Sequence, residues 1–539
     1  MSKKSLLMAL LALVLSFVLV ACGGSETSTD EPADNDSNGE TTTEQPAEGQ
    51  SGGDLVFSVP SDAVSLDPAG SNDMPSSNVQ NNIYETLVYH NEDLELLPLL
   101  AESFEAIDDV TWEFKLREGV KFHDGSDFNA EVVKANIERI LDPDLASPRS
   151  FLFTMVEEIK VVNEYTVQFI TEYPFSPLPS HLAHNGAAML SLPAIEADYA
   201  GVEAGKDPFA VTNENPVGTG PFKFDSWTPG EKIVIVNNED YWGDPAHLDS
   251  ITFSVVPEDL TRVGQLSTGD AHIMANLAPS DMARVDGTNG TNVYRENSVT
   301  LAYIGFNAQK EPFDNVKVRQ AISMAINKDV ILDGVMDGVG IPAKGPLAPG
   351  VFGYSENVDP LEFDVEKAKQ LLAEAGYPDG FSTTIWTNDN RQRMDTAEVV
   401  QAQLKEIGVE VEIEVLEWGA YLEQTANGEH DMFILGWVIV TLDADYGTYP
   451  LFHSSNQGQA GNRTFTEVER LDEVLDAARR EADPDTRIAL YEEAQEILVE
   501  EATMVYTHFT ENVLGVRDEV QGFWVHANGI YQLKDVTLN

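Results

Sequence analysis

After Cys22, the only cysteine of the 539-residue chain, thirty-one positions (Gly23–Gly53) pass without an aromatic side chain or, two prolines apart, any aliphatic one larger than alanine. Ser, Thr, Gly, Pro, Asp and Glu in such proportion cannot bury enough apolar surface to offset chain entropy, so the segment is expected to stay disordered. The folded body therefore has to begin at about Asp54. A coil of some thirty residues spans about 30 Å root-mean-square, and more if its carboxylates repel, which reads as a tether. Within it, "DNDSNGETTTEQ" (Asp34–Gln45) matches the first half of a calcium loop. The twelfth position is Gln45 where a bidentate Glu is needed, and Pro32 and Pro46 spoil the flanking helices, so the ligand count argues against calcium.

Upstream, Lys3 and Lys4 precede the uncharged "SLLMALLALVLSFVLVA" (Ser5–Ala21). A basic stretch followed by an apolar one is the layout of an export signal. Seventeen residues is borderline for a membrane-spanning helix, the alternative reading, which needs about 20. "LVAC" (Leu19–Cys22), with Gly23, Gly24 and Ser25 following, resembles a bacterial lipoprotein signal. That resemblance implies removal of residues 1–21 and lipid attachment to Cys22. With a single cysteine the chain forms no internal disulfide and has no Cys-based zinc or iron–sulfur site.

Charge narrows the partners. The chain holds 91 acidic and 32 basic residues, a formal net charge of −59; without residues 1–21 it becomes 30 − 91 = −61. Such a field repels nucleic acid and anionic headgroups, and it suits a soluble body on the cell exterior. A hydrophobic content of 42% is enough for a sizeable core, and the length fits two or more domains.

From Asp54 onward the patterns are globular. Period-two runs predict strands at Asp54–Pro60, Thr111–Val120, Tyr165–Ile170, Lys232–Val236, Ile251–Val256 and Val409–Leu416. Asp364 caps a predicted helix that presents Val365, Ala368, Leu371, Leu372 and Ala375 on one face and stops at Gly376. Thr466 and Glu469 suggest a capping box, and Asp483 with Pro484 opens a last long helix ending near Glu501. Strands and helices mix throughout, so the fold class is α/β.

Three segments, "WEFKLREGVKFHDGSDFNAEVVKANIERI" (Trp112–Ile140), "NPVGTGPFKFDSWTPGE" (Asn215–Glu231) and "YIGFNAQKEPFDNVKVRQAISMAINKD" (Tyr303–Asp329), resemble the large family 5 extracellular solute-binding proteins of ATP-driven importers. Those proteins take dipeptides, oligopeptides, glutathione or nickel complexes. The resemblance implies a two-lobe periplasmic-binding-protein-like fold (type II, cluster C) with a hinge and an interlobe cleft. It implies one lobe from residues 54–304 plus 507–539, with an inner subdomain over about 86–210, and a second from residues 305–506. It also implies a monomer on the extracellular face of a Gram-positive-type membrane, with an ABC permease and its ATPase as partners, and no catalysis and no cofactor.

A peptide closed into a cleft brings an ammonium and a carboxylate, and stranding either would cost several kcal/mol. At least one acid and one guanidinium should therefore face inward. For the anion, Arg391 and Arg393 lie at the start of the helix predicted within "WTNDNRQRMDTAEVVQAQLKEIG" (Trp386–Gly408), where free N–H groups and a bidentate fork combine. Solvated surface arginines are the plainer reading. For the amine, Asp443 and Asp445 stand in "GWVIVTLDADYGTYPLFHSS" (Gly436–Ser455) among Trp437 and Tyr446. A turn-forming Asx pair is the alternative. The "DADYG" portion resembles the glutathione-importer receptors within the family. Trp386, Trp437 and Tyr446 suit a cleft lining or an ordinary core. By resemblance, Asn307 and Arg463 occupy family positions near the cleft.

Enzyme readings find no machinery in the sequence: no G-x-S-x-G, H-E-x-x-H or Walker loop is present. His181 and His184 in "SHLAH" are read as structural, since a metal site needs three or four ligands, and His123 as part of a turn. Two non-enzyme alternatives stay open: a nickel- or metal-chelate receptor of the same fold, and a surface signalling or adhesion lipoprotein.

Overall fold

The computed structural model describes residues 52–458 and 461–539. The export signal (1–21), Cys22, the half calcium loop and nearly all of the tether lie outside the described residues. The tether as read reached Gly53, but Gly52 and Gly53 already belong to the body: their N–H groups donate to the His247 carbonyl at 2.7 Å and to Asp249 Oδ2 at 2.8 Å.

One sheet of eleven strands runs through the body. Its members in chain order include β1 (Asp54–Val59), and a second, four-stranded sheet follows it in sequence: β2 (Ala101–Asp108), β3 (Thr111–Leu116), β4 (Val156–Asn163) and β5 (Thr166–Thr171). The large sheet resumes with β6 (Phe222–Thr228), β7 (Lys232–Asn237), β8 (Ser250–Val255), β9 (Ile273–Met274) and β10 (Thr291–Phe306). It is completed by β11 (Ser382–Asn388), β12 (Glu410–Leu416), β13 (Met432–Val438) and β14 (Met504–Arg517). The spatial order is β12-β11-β13-β10-β14-β9-β1-β8-β7-β6, with Ile341–Pro342 pairing to β14 off that path.

Two long strands hold the ends of this sheet together. Residues 291–297 of β10 pair with 511–517 of β14, and residues 301–305 pair with 504–509. Between them the register breaks: four steps from Asn297 to Leu301 answer two steps from Glu511 to Phe509. An irregularity of this kind bends a strand pair and weakens its ladder. The break divides the apolar interior. Around β1, β7 and β8 the core gathers Leu55, Phe57, Ile233, Ile251 and Phe253. On the other side β10, β11 and β13 alternate, sending Leu301, Tyr303, Trp386, Phe433 and Leu435 to one face and Ile304, Phe306, Ile385, Met432 and Ile434 to the other. The four-stranded sheet, ordered β2-β3-β5-β4, packs Phe114, Val167 and Phe169 with Val133 and Ile137. The latter two come from helix α2 (Ala130–Leu141), and helix α1 (Met74–Ile83) precedes that sheet in the chain.

Local chemistry explains most element ends. Helix α3 (Leu178–Leu182) follows β5. In α4 (Val365–Glu374) the Asp364 carboxylate accepts the Lys367 N–H at 2.9 Å. The glycines of "VGTGPF" are set by close approach: a Cβ on Gly218 would lie 2.1 Å from the Ile83 carbonyl oxygen, and one on Gly220 would lie 2.7 Å from it. Helix α5 (Arg391–Leu404) starts on Asn390, and α6 (Trp418–Ala426) on Glu417. Helix α7 (Ala444–Phe452) starts on Asp443. Helix α9 (Pro484–Glu500) opens on Asp483 as expected. The capping box does not form. Helix α8 begins only at Glu469 (Glu469–Arg480), because the Thr466 hydroxyl is bonded to that of Thr464 at 2.9 Å.

Candidate functional site

Helix α5 decides which arginine faces inward. Successive residues turn by about 100°, so Arg391 and Arg393 diverge by about 200°. Arg393 lies against the sheet. Arg391 points out, its side chain 84% exposed and 3.7 Å from Asp395, as the plainer reading of a solvated surface arginine has it. The Arg393 backbone N–H donates to the capping Asn390 side chain at 3.0 Å. Its guanidinium donates to Asn388 Oδ1 at 3.0 Å and lies 5.4 Å over the Trp418 ring. Among the described residues Arg393 forms no ion pair, and burial pulls its pKa down. Arg463 belongs to the same neighbourhood. Its Nε donates to Thr425 Oγ1 at 3.0 Å, and its carbonyl accepts from His430 Nε2 at 2.9 Å.

Tyr303 and Tyr421 sit within electrostatic reach of both arginines. The Tyr421 hydroxyl donates to the Ile434 carbonyl at 2.6 Å. The Tyr303 hydroxyl is buried with no hydrogen-bond partner among the described residues, and burial pushes its pKa up to about 12. Trp386, on the same sheet face, is 8% exposed, and its Nε1–H likewise has no partner. Every one of these groups is a donor or a cation. Buried donors without acceptors are costly, and the charge and hydrogen-bonding sense of this cluster suit a carboxylate.

The two aspartates are already committed within the chain. Asp443 caps α7 by accepting the Asp445 N–H at 2.9 Å, and its carboxylate takes both arms of Arg487 at 2.8 and 2.6 Å. Asp445 faces Arg479, with Nη2 to Oδ2 at 3.2 Å and Nε to Oδ1 at 3.1 Å, and lies 3.7 Å from His181 Nε2. Burial alone would raise the Asp445 pKa; the Arg479 charge and the His181 contact hold it at about 2. Both negative charges are thus met by arginines of the chain. Asn307 is also structural: its amide donates to the carbonyls of Gly428 and His430 and accepts from the Gln309 N–H.

Trp437 and Tyr446 lie where two apolar cores meet. The Trp437 indole donates to the Tyr446 carbonyl at 2.9 Å, and the rings lie 5.3 Å apart. Trp437 packs against the core of the four-stranded sheet and also against that of β10 and β13. Tyr446, although it sits on α7, is buried in the first of these cores beside Phe151 and His184, at 6.1 and 6.0 Å. Arg149 lies beneath it. It is buried and bonded to the Ser71 carbonyl, Asn72 and Ser77, and burial lowers its pKa to about 10. A cavity of about 680 Å³, lined by His453, Glu467, Glu469, Asp472, Glu473 and Asp476, has the wrong charge for an anion.

The structure thus holds an aromatic contact between two apolar cores, Trp437 with Tyr446, and a cluster of cations and donors around Arg393. The model for "Bacterial extracellular solute-binding proteins, family 5 Middle" matches residues 95–459. The chain belongs to this family. The glutathione-binding protein GsiB of Salmonella typhimurium is 34% identical over 493 residues, covering 90% of this chain and 94% of that protein. Among solved structures, DppA from Helicobacter pylori in complex with the peptide STSA superposes with a TM-score of 0.81 at 33% identity, covering 91% of this chain and 98% of that one. AppA from Bacillus subtilis in complex with a nonapeptide gives 0.77 at 28% identity, covering 91% and 100%. This solute-binding protein therefore has the mixed α/β periplasmic-binding-protein fold that its sequence led us to expect, and it is not an enzyme.

Several residues of the site escaped the sequence reading. Tyr303 and Trp418 stood in plain strand and helix contexts, and nothing local distinguished Arg479 and Arg487 from other surface arginines on a helical pattern.

Proposed function

We propose that this protein is the ligand-capturing lipoprotein of an ABC importer, taking short peptides or glutathione and delivering them to a membrane permease. The observation that carries the reading is Arg393: a half-buried guanidinium that forms no ion pair among the described residues, beside two buried donors, Tyr303 Oη and Trp386 Nε1, that have no hydrogen-bond partner among them. The ligand carboxylate sits there, with Arg463 adding a second cation and Trp418 closing over Arg393. Trp437 and Tyr446 supply apolar contact for the rest of the ligand. The glutathione-binding and peptide-bound relatives support this choice of substrate class.

The first lobe comprises residues 54–304 with 507–539, including an inner subdomain over about 86–210, and the second comprises residues 305–506. The register break in β10 and β14 supports a hinge there. Cys22 carries the lipid on the outer face of a Gram-positive-type membrane, the acidic segment up to about Ser51 is the tether, and the receptor works as a monomer.

Native mass spectrometry of the purified protein, followed by calorimetry with glutathione and the dipeptide Met-Leu, tests the reading. A copurifying carboxylate-bearing peptide, or micromolar or tighter binding of either probe, supports it. Neither a bound small molecule nor heat from either probe would overturn it.

A further inference from the structure

We propose that Arg479 is a latch that sets how readily the two parts of the receptor close, acting on every ligand alike. Arg479 is the penultimate residue of α8, and its guanidinium is held by Asp445 of α7. It is sandwiched between the Tyr449 ring, 3.6 Å away, and the Phe175 ring, 5.0 Å away. Phe175 belongs to the core of the four-stranded sheet, so the guanidinium is shared between the two sides. The backbone repeats the grip. The Arg479 carbonyl accepts the Ser176 N–H at 3.1 Å, and the Glu481 carbonyl accepts the Ser176 hydroxyl. Beside them Arg480 lies 4.9 Å over the Tyr173 ring.

Segment 173–176 is thus clasped by residues 479–481 through side chains and main chain together. The Asp445 pair keeps Arg479 from turning toward solvent, and the neighbouring Tyr446 is driven into the opposing core. All of these contacts are between the chain's own residues, so their strength adds to closure whichever solute is enclosed. A binding-competent form populated to a fraction f weakens apparent affinity by that fraction. Loosening the clasp therefore scales all affinities together and leaves selectivity untouched. Arg479 is a positioning residue, and its effect on affinity rests on the two hinged lobes proposed above closing over the ligand.

The test compares wild type, Arg479→Met and the surface double variant Ser176→Ala/Arg480→Ala by small-angle scattering without ligand, and by calorimetry with glutathione and Met-Leu. We expect a larger radius of gyration in both variants. Affinities for the two probes should fall by a common factor of about 3 to 30 in R479M, and by less in the double variant, with their ratio unchanged. An unchanged radius and unchanged affinities would overturn the latch, as would a change in the ratio, which would make Arg479 a ligand contact. If R479M does not fold, the double variant decides. If wild type binds neither probe, the proposed ligand class fails and the radius alone judges the latch.

Discussion

The guanidinium of Arg487 grips both carboxylate oxygens of Asp443, Nη1 to Oδ2 at 2.8 Å and Nη2 to Oδ1 at 2.6 Å, with both side chains at most 6% exposed. The Arg487 ring neighbours Phe352 and Tyr491, at 4.7 and 5.1 Å, close the pair off from water. Removing one partner of such a pair leaves an uncompensated buried charge, at a cost of about 3–5 kcal/mol. Asp443→Ala is expected to destabilise the protein by that amount in urea denaturation. The double variant Asp443→Ala/Arg487→Met should recover part of the loss. A D443A variant of parental stability with weakened ligand binding would return Asp443 to the ligand.

The two arginines that open α5 should behave oppositely. A charge-assisted hydrogen bond contributes about 1.5–3 kcal/mol, which is roughly 10- to 150-fold in affinity. Arg393→Gln is expected to lose that much for a carboxylate-bearing ligand. Arg391→Ala, with its side chain 84% exposed, should bind as the parent does. Calorimetry on both variants checks the contrast, and the reverse order of effects would contradict the site.

Stability should fall as the pH drops below about 6.5. Burial pulls the pKa of His90 and of His430 to about 3, and that of His123 and of His508 to about 4, against an ordinary 6.5. The folded state keeps these rings neutral while the unfolded chain takes up protons below about pH 6.5. Their contribution is whole above that pH and is lost as pH falls toward 4 to 3. Each histidine removes up to about 1.4 kcal/mol per pH unit in this window. Urea midpoints at pH 7.5, 6 and 5 should therefore decline progressively. A midpoint constant down to pH 5 would contradict this.

Gly218→Ala should be damaging although the residue is on a loop, because the added methyl would lie 2.1 Å from the Ile83 carbonyl oxygen. Overpacking of this kind costs about 1–3 kcal/mol or more. A thermal melt matching wild type would show that the α1 terminus can move aside.

Where the sequence was legible, the controlling interactions were local. Alternation on β3 and β7, the Asp364 and Asp483 caps and the glycine stops could be read directly, because each depends on residues a few positions apart. Thr466 misled for a related reason: its hydroxyl has a second local partner, Thr464, which outcompetes the cap. At the site, the aspartates were conspicuous, but the arginines that neutralise them lie 34 and 44 positions downstream, and no local pattern pairs them. Arg391 and Arg393 looked equivalent in the sequence. Only the rotational phase of α5 against the sheet separates them. Trp437 and Tyr446 carried no sign of which core they would enter, since that depends on how two parts of the chain meet.

The carboxylate subsite is tested most directly by calorimetry of the wild-type protein and Arg393→Gln with glutathione and glutathione diethyl ester, alongside Met-Leu and its methyl ester. A free carboxylate seated on Arg393 predicts that at least one unblocked ligand binds wild type at least about tenfold more tightly than its ester, and that this preference collapses in the variant. Esters that bind wild type as tightly as the free acids, or a preference that survives R393Q intact, would contradict it.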